Sequence, residues 1–157
     1  MKIVVVAVGR TSTKYISQAV EDFSKRIAHY VPFEFAIVPD LKVAKGLTEA
    51  AIKQREGQAI LQLLLPGDEV VLLDERGEEL TSRGFAQMID RCMVKGLKRL
   101  VFVIGGPYGF SQEVYDRANK MLSLSRMTFT HEMVRLFFTE QVYRAMTILR
   151  GEPYHHD

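Results

Sequence analysis

Hydrophobic and polar positions follow two regimes along this chain. Nearly unbroken apolar runs occur at Ile3 to Val8, Phe33 to Val38, Val70 to Leu73 and Leu100 to Ile104. Runs of this length predict strands buried on both faces, as in a parallel sheet. Between them, apolar residues recur at helical spacing. Ile16, Ala19, Val20, Phe23, Ile27 and Tyr30 form one stripe, with Ser12 or Thr13 as cap and Pro32 as stop. A second helix is predicted from Thr48 to about Leu65, before Pro66-Gly67. A third follows Thr81-Ser82, carries Phe85, Met88, Ile89 and Cys92, and ends near Gly96. A short helix is expected from about Ser111 to Asn119, a fifth strand near Met121 to Ser125, and a long helix from about Thr130 to Arg150. Asp40 to Leu47 reads as a mobile loop, and Asp74-Glu75-Arg76-Gly77 as a polar turn after the third strand. Strands alternate with helices, so the expected class is α/β, a mainly parallel sheet flanked by helices, in one domain over residues 1–157.

Two of these elements suggest where a ligand sits. The fourth strand runs into Gly105-Gly106-Pro107-Tyr108-Gly109, and a double glycine there marks a close backbone approach. The fifth strand leads into Leu124 to Phe129. Neighbouring strand ends in an α/β protein form a crevice that ligands occupy. The last helix is apolar on more than one face (Met133, Val134, Leu136, Phe137, Phe138, Val142, Tyr143, Ala145 and Met146). One face serves the sheet, and a second predicts a partner, most simply another copy of the chain.

Composition narrows the classes. The hydrophobic share of 47% excludes disorder over most of the chain. The single cysteine, Cys92, excludes a disulfide framework or a thiolate metal cluster. The apolar run at the N-terminus is too short to span a membrane and lacks a small-residue cleavage site, so a cytoplasmic protein is expected. A net charge of +2 is compatible with a nucleic-acid partner and well below the usual footprint of one.

Several motifs fail a closer reading. Only Gly9 follows the first strand, so a dinucleotide fingerprint is absent there. His131-Glu132-x-x-Arg135 has arginine where a zinc helix needs its second histidine, and no metal is expected. Arg135 and Arg144 interrupt a greasy helix. Glu140 and Arg144 can pair at i,i+4, or both arginines face a crevice and meet phosphate. Tyr154 and His155 belong either to a solvated tail or to one folded back over a pocket as proton-transfer or base-stacking groups.

The combination is more specific than its parts. Val103-Ile104-Gly105-Gly106-Pro107-Tyr108-Gly109, Leu122-Ser123-Leu124-Ser125-Arg126-Met127-Thr128-Phe129-Thr130-His131, Val134-Arg135, Glu140-Gln141-Val142-Tyr143-Arg144-Ala145 and the closing Pro153-Tyr154-His155 occur in this order. With Glu56-Gly57 and the N-terminal run, this pattern resembles the small pseudouridine N3-methyltransferases of the SPOUT superfamily over the whole chain.

That resemblance implies a C-terminal trefoil knot, a rare exception to unknotted topology. It implies a homodimer with each active site borrowing residues from the neighbour, and S-adenosylmethionine as methyl donor. The implied substrate is a pseudouridine in helix 69 of large-subunit (23S) rRNA in the assembled ribosome. Carried over to this sequence, the cofactor contacts fall at Leu73, at Gly105 and Gly106, and at Leu124, Ser125, Arg126, Met127, Thr128 and Phe129. The catalytic candidates are Arg135, Arg144, Tyr154 and His155. An imide nitrogen is a poor nucleophile until it loses its proton, so a positioned base or anion-stabilising groups are needed. The arginines suit charge stabilisation, and Tyr154 and His155 suit proton transfer. Two rivals remain: a nucleotide-binding regulator without catalysis, and a non-enzymatic ribosome-associated factor.

Overall fold

The computed structural model describes residues 1–41 and 46–157. Ten elements alternate along the chain: β1 Lys2–Val8, α1 Lys14–Ile27, β2 Phe33–Val38, α2 Glu49–Leu63, β3 Glu69–Glu79, α3 Ser82–Val94, β4 Arg99–Ile104, α4 Gln112–Arg117, β5 Lys120–Ser123 and α5 His131–Leu149. The five strands form one sheet in the order β2-β1-β4-β3-β5, and every pairing is parallel. The expected α/β class is therefore what the chain adopts. The expected mobile loop at Asp40 to Leu47 falls largely on residues 42–45, outside the described residues.

The unbroken apolar runs are explained by burial on both sides. Ile3, Val5, Ala7, Leu100, Phe102 and Ile104 join a core under α1, α3 and α5. Val4, Val6, Val8, Val101 and Val103 point the other way, into a core under α2 and α4. Phe102 and Phe138 meet with ring centroids 4.7 Å apart, which fixes α5 against the sheet centre.

Helix starts follow the capping residues. Thr48, Thr81, Ser111 and Thr130 each accept a backbone N–H from the first turn of their helix. Thr13 sits at the α1 cap position without bonding that helix. Its hydroxyl donates 2.6 Å to Glu132 of α5, whose carboxylate also accepts the N–H groups of Ser12 and Thr13. These bonds, the Thr13 hydroxyl first, hold the Glu132 carboxyl down at about 2.

The expected polar turn at Asp74 to Gly77 is corrected by the structure. The chain stays in β3 through Glu79, with a register break. Leu73 and Glu78 both pair with Leu122, so residues 74–77 leave the pairing line and return to the same place. Gly77 makes this possible: a Cβ there would lie 2.5 Å from the Leu122 nitrogen. Strand backbone cannot yield as a side-chain tip can. Gly77→Ala is expected to lower the unfolding free energy by about 2 kcal/mol, the usual scale of overpacking, in urea denaturation. An unchanged midpoint would show that β3 and β5 can separate freely.

Candidate active site

The middle of β3 and the C-terminal ends of β4 and β5 open into one cavity of about 740 Å³. Leu73, Gly105, Gly106 and every residue from Leu124 to Phe129 line it, so these separate segments share one wall. The walls are both apolar and polar. Leu73, Ile104, Leu122 and Leu124 are its aliphatic lining, and the 105–109 loop and residues 125–128 line the rest together with Asp74, Arg76 and Tyr115. Met127 is 76% exposed at the rim, a large apolar side chain left open to solvent.

The two glycines are required from behind the cavity as much as from within it. A Cβ on Gly105 would stand 3.0 Å from the Phe110 ring, and one on Gly106 would stand 2.7 Å from a Glu56 carboxylate oxygen. Gly57 lies against Ser111 in the same way. Helix α2 therefore presses the loop forward. Glu56 is buried, and its Oε2 has no hydrogen-bond partner among the described residues. Burial pushes its carboxyl up from the ordinary value, and Asp40 adds to the effect.

Sequence reasoning missed a second polar group in this wall. Tyr115 donates to Asp74 at 2.5 Å, and the Arg76 guanidinium stands 4.8 Å over the Tyr115 ring. Burial opposes ionisation of Asp74, but the bonds from Tyr115 and Arg76 outweigh it and hold the carboxyl below its usual range. The result is an ionised carboxylate in the cavity wall. No short motif marks it, because Asp74 and Tyr115 meet only after folding.

The four catalytic candidates do not gather in this cavity. Arg135 is 1% exposed and lies under it, donating 2.6 Å to the Val8 carbonyl, 2.7 Å to that of Gly9 and 2.9 Å to the Thr11 hydroxyl. Its expected crevice-facing, phosphate-binding role is corrected, since both terminal guanidinium nitrogens are bonded to Val8, Gly9 and Thr11. Burial pulls its pKa down, offset by the Glu132 and Asp40 carboxylates.

Arg144, Tyr154 and His155 do come together, along α5. Tyr154 donates 2.9 Å to Glu140, which also accepts from Arg144 at 2.5 Å. Arg144 lies 4.8 Å over the Tyr154 ring and 3.2 Å from His155 Nδ1. Arginine can only donate, so Nδ1 accepts and Nε2 carries the proton given to Asp157 at 2.9 Å. Asp157 in turn accepts from Arg83 of α3, which is the main reason its carboxyl is held at about 2. The tail is thus folded back and fastened, and the expected Glu140–Arg144 pair is part of the fastening. Burial, then the Glu140 bond, raises the Tyr154 pKa. Among the described residues no His, Cys, Asp and Glu group is arranged to hold a metal ion.

A family model described as "Predicted SPOUT methyltransferase" matches residues 1–155. The chain belongs to the SPOUT methyltransferase family. It is 52% identical over 157 residues, the whole of both chains, to the ribosomal RNA large subunit methyltransferase H of Parabacteroides distasonis. It is 54% identical over 156 residues, 99% of each chain, to the protein of the same name from Christiangramia forsetii. A solved structure of a probable methylase family protein from Haemophilus influenzae shares the fold, with a TM-score of 0.55 at 10% identity, covering 99% of this chain and 70% of that one. SPOUT methyltransferases generally draw their methyl group from S-adenosylmethionine. Among the described residues, no helix of this SPOUT chain is long and apolar enough to cross a membrane.

Two stability predictions follow from the buried ionisable groups. Arg135→Met is expected to lower the unfolding free energy by about 3 kcal/mol, through loss of charged hydrogen bonds to carbonyls that remain buried. Arg135→Lys should not restore it, because one ammonium cannot span all three acceptors. Urea denaturation of both variants decides this. For Glu56 the folded pKa lies above the ordinary 4.5. Its contribution is therefore complete below that value and lost as pH rises through the raised one. Glu56→Gln is expected to gain about 1 kcal/mol at neutral pH and to flatten this part of the stability profile in denaturant melts between acid and neutral pH.

Proposed function

We propose that this chain transfers a methyl group from S-adenosylmethionine to N3 of a pseudouridine in helix 69 of 23S rRNA. It acts as a homodimer on assembled ribosomes in the cytoplasm, with residues 1–157 as one SPOUT domain. One observation carries the reading: Leu73, Gly105-Gly106 and Leu124 to Phe129 converge on a single cavity in a chain about half identical, end to end, to proteins named ribosomal RNA large subunit methyltransferase H.

The cavity residues fit the cofactor. Its volume suits a nucleoside with an amino-acid arm, its floor is apolar, and its rim offers backbone donors and acceptors for an adenine edge. When bound, S-adenosylmethionine supplies an electrophilic methyl group on a positively charged sulfur. Leu73 and Leu124 wall the site, and Met127 stands at its rim. Gly105 and Gly106 present backbone without side chains. The Asp74 carboxylate in the same wall favours a cationic ligand. A C-terminal trefoil knot belongs to this reading.

Proton transfer and charge stabilisation fall to Arg144, Tyr154 and His155, which share one hydrogen-bonded group. In one chain this group lies outside the cofactor cavity, so the working site combines the cavity of one subunit with the tail of the other. The exposed apolar residues Phe137 and Leu149 on α5 support that pairing. Arg135 acts in this scheme as a positioning residue behind the cavity.

The test is incubation with tritiated S-adenosylmethionine and ribosomes lacking the mark, with the target uridine either isomerised or not. Label is expected only in pseudouridine-containing ribosomes, and its absence there would sink the proposal. Tyr154→Phe and His155→Ala should each slow single-turnover methylation by about 10²-fold, the scale of a lost acid–base group, with cofactor affinity unchanged. Sizing of the wild-type chain checks the dimer.

A further inference from the structure

The walls of the larger cavity are not backed alike. Behind the wall formed by Leu122 to Phe129 lies a second cavity of about 310 Å³, which shares Leu122, Ser123, Leu124 and Phe129 with the first. That wall borders open space on both sides. The Gly105–Gly106 wall backs onto packed protein. Gly106 faces Glu56 with a hydrogen where any other residue would place a Cβ 2.7 Å from Oε2 and 3.1 Å from Oε1.

We infer that Glu56 is the positioning residue of the cofactor loop: its neutral carboxyl, wedged between α2 and Gly106, holds the loop in its cofactor-binding form, and loss of the proton releases it. The inference rests on reading the larger cavity as the S-adenosylmethionine site, and it adds a proton to that binding step.

Geometry decides which side yields. Helix α2 has no room to retreat. A Cβ on Gly57 would stand 2.3 Å from Ser111 Oγ and 3.3 Å from the Val114 side chain. Ser111 is itself held as the cap of α4. Ile52 and Ile60, one turn before and after Glu56, are both buried. The loop is the softer side. Gly105 is backed by the Phe110 ring, so the movable part begins at Gly106. Its turn is closed by the Gly109 N–H donating 3.1 Å to the Gly106 carbonyl, with Gly109 at φ +80°. Repulsion between Glu56 and Gly106 is therefore relieved by movement of the loop.

Electrostatics decides when it yields. Glu56 is 7% exposed, and its Oε2 has no hydrogen-bond partner among the described residues. A buried carboxylate without partners is far less stable than a buried carboxylic acid. The neighbours supply no counter-charge. Ser111 and Val114 from α4 and Gly106 from the loop are uncharged. On α2 itself the cations nearest in sequence are Lys53 and Arg55, and neither acts on the carboxyl among the described residues. From the end of β2, Asp40 faces it with like charge. Arg135, the cation drawn to Asp40, is bonded to Val8, Gly9 and Thr11. Burial first, and Asp40 second, make Glu56 keep its proton beyond the ordinary carboxylate range. Once ionised it needs water, and displacement of the loop admits it. The loop in place thus favours the proton, and by reciprocity the proton favours the cofactor. Cofactor affinity is therefore complete below the raised pKa and falls as pH rises through it.

The test is calorimetric binding to the full-length chain, as wild type and as Glu56→Gln, between pH 4.5 and neutrality. The wild-type Kd for S-adenosylmethionine is expected to be constant at the acid end and then to rise, by up to about tenfold per pH unit, the limit for one linked proton. Glu56→Gln keeps the shape without the titrating proton and should hold the acid-end Kd throughout. Titrations in buffers of different ionisation enthalpy should show proton uptake on binding by wild type that Glu56→Gln lacks. A wild-type Kd that does not change with pH would overturn the inference. So would a Glu56→Gln protein that keeps the wild-type slope, which would assign the proton to His131 in the cavity wall. Absence of binding by both proteins at every pH rejects the cofactor reading and this inference with it. Proton-linked binding without methyl transfer to ribosomes rejects the reaction and retains the role of Glu56.

Discussion

The contact between β3 and β5 is the constraint on which the rest of this structure depends. Backbone meets backbone at Gly77 and Leu122 with no room for a single Cβ. Leu122 pairs with Leu73 before the 74–77 excursion and with Glu78 after it. That closeness places the end of one strand and the exit of the other side by side. The residues on either side of the contact, Leu73 to Arg76 and Leu122 to Phe129, then become the opposing walls of the larger cavity. A β3 that turned away after Leu73 would leave the 124–129 segment facing water.

Helix α5 holds the remaining geometry through two long-range clamps. Arg135 grips the carbonyl end of β1 from within the fold, and Glu132 grips the start of α1 one turn earlier. Arg135 satisfies carbonyls at the exit of β1, and Glu132 satisfies N–H groups ahead of α1, so together they pair polar backbone atoms and hold the helix in place. The far end of α5 carries the tail. Tyr30, Tyr143 and Tyr154 pack edge to face, Tyr30 donates to Glu152, and that bond first, then burial, pushes the Tyr30 hydroxyl up to about 12. One helix thus runs from the wall of the larger cavity, at His131 and Val134, to the Glu140–Arg144–His155 group.

Charge is arranged locally. A net charge of +2 gives little general attraction for RNA. What the fold offers instead are fixed single groups: the Asp74 carboxylate held ionised by Tyr115 and Arg76, and the Glu140–Arg144–His155 set along α5.

The sequence by itself determined the layer structure. Continuous β-branched runs can be satisfied only by burial on both faces, and Thr or Ser before each helical stripe marks its start, because these signals are local. It also pointed to the residues around the larger cavity, since glycines and strand exits are read from the chain. What it could not determine was which partners distant residues would find. Asp74 to Gly77 reads as a turn because its polarity is local, while its extension depends on a strand about 45 residues away. Arg135 reads as a cation facing a crevice because it interrupts a greasy helix, and only the carbonyls at the end of β1 make its burial favourable. The Glu140 group and the second cavity arise from α3, β5, α5 and the tail meeting in space, and no periodicity along the chain encodes that meeting.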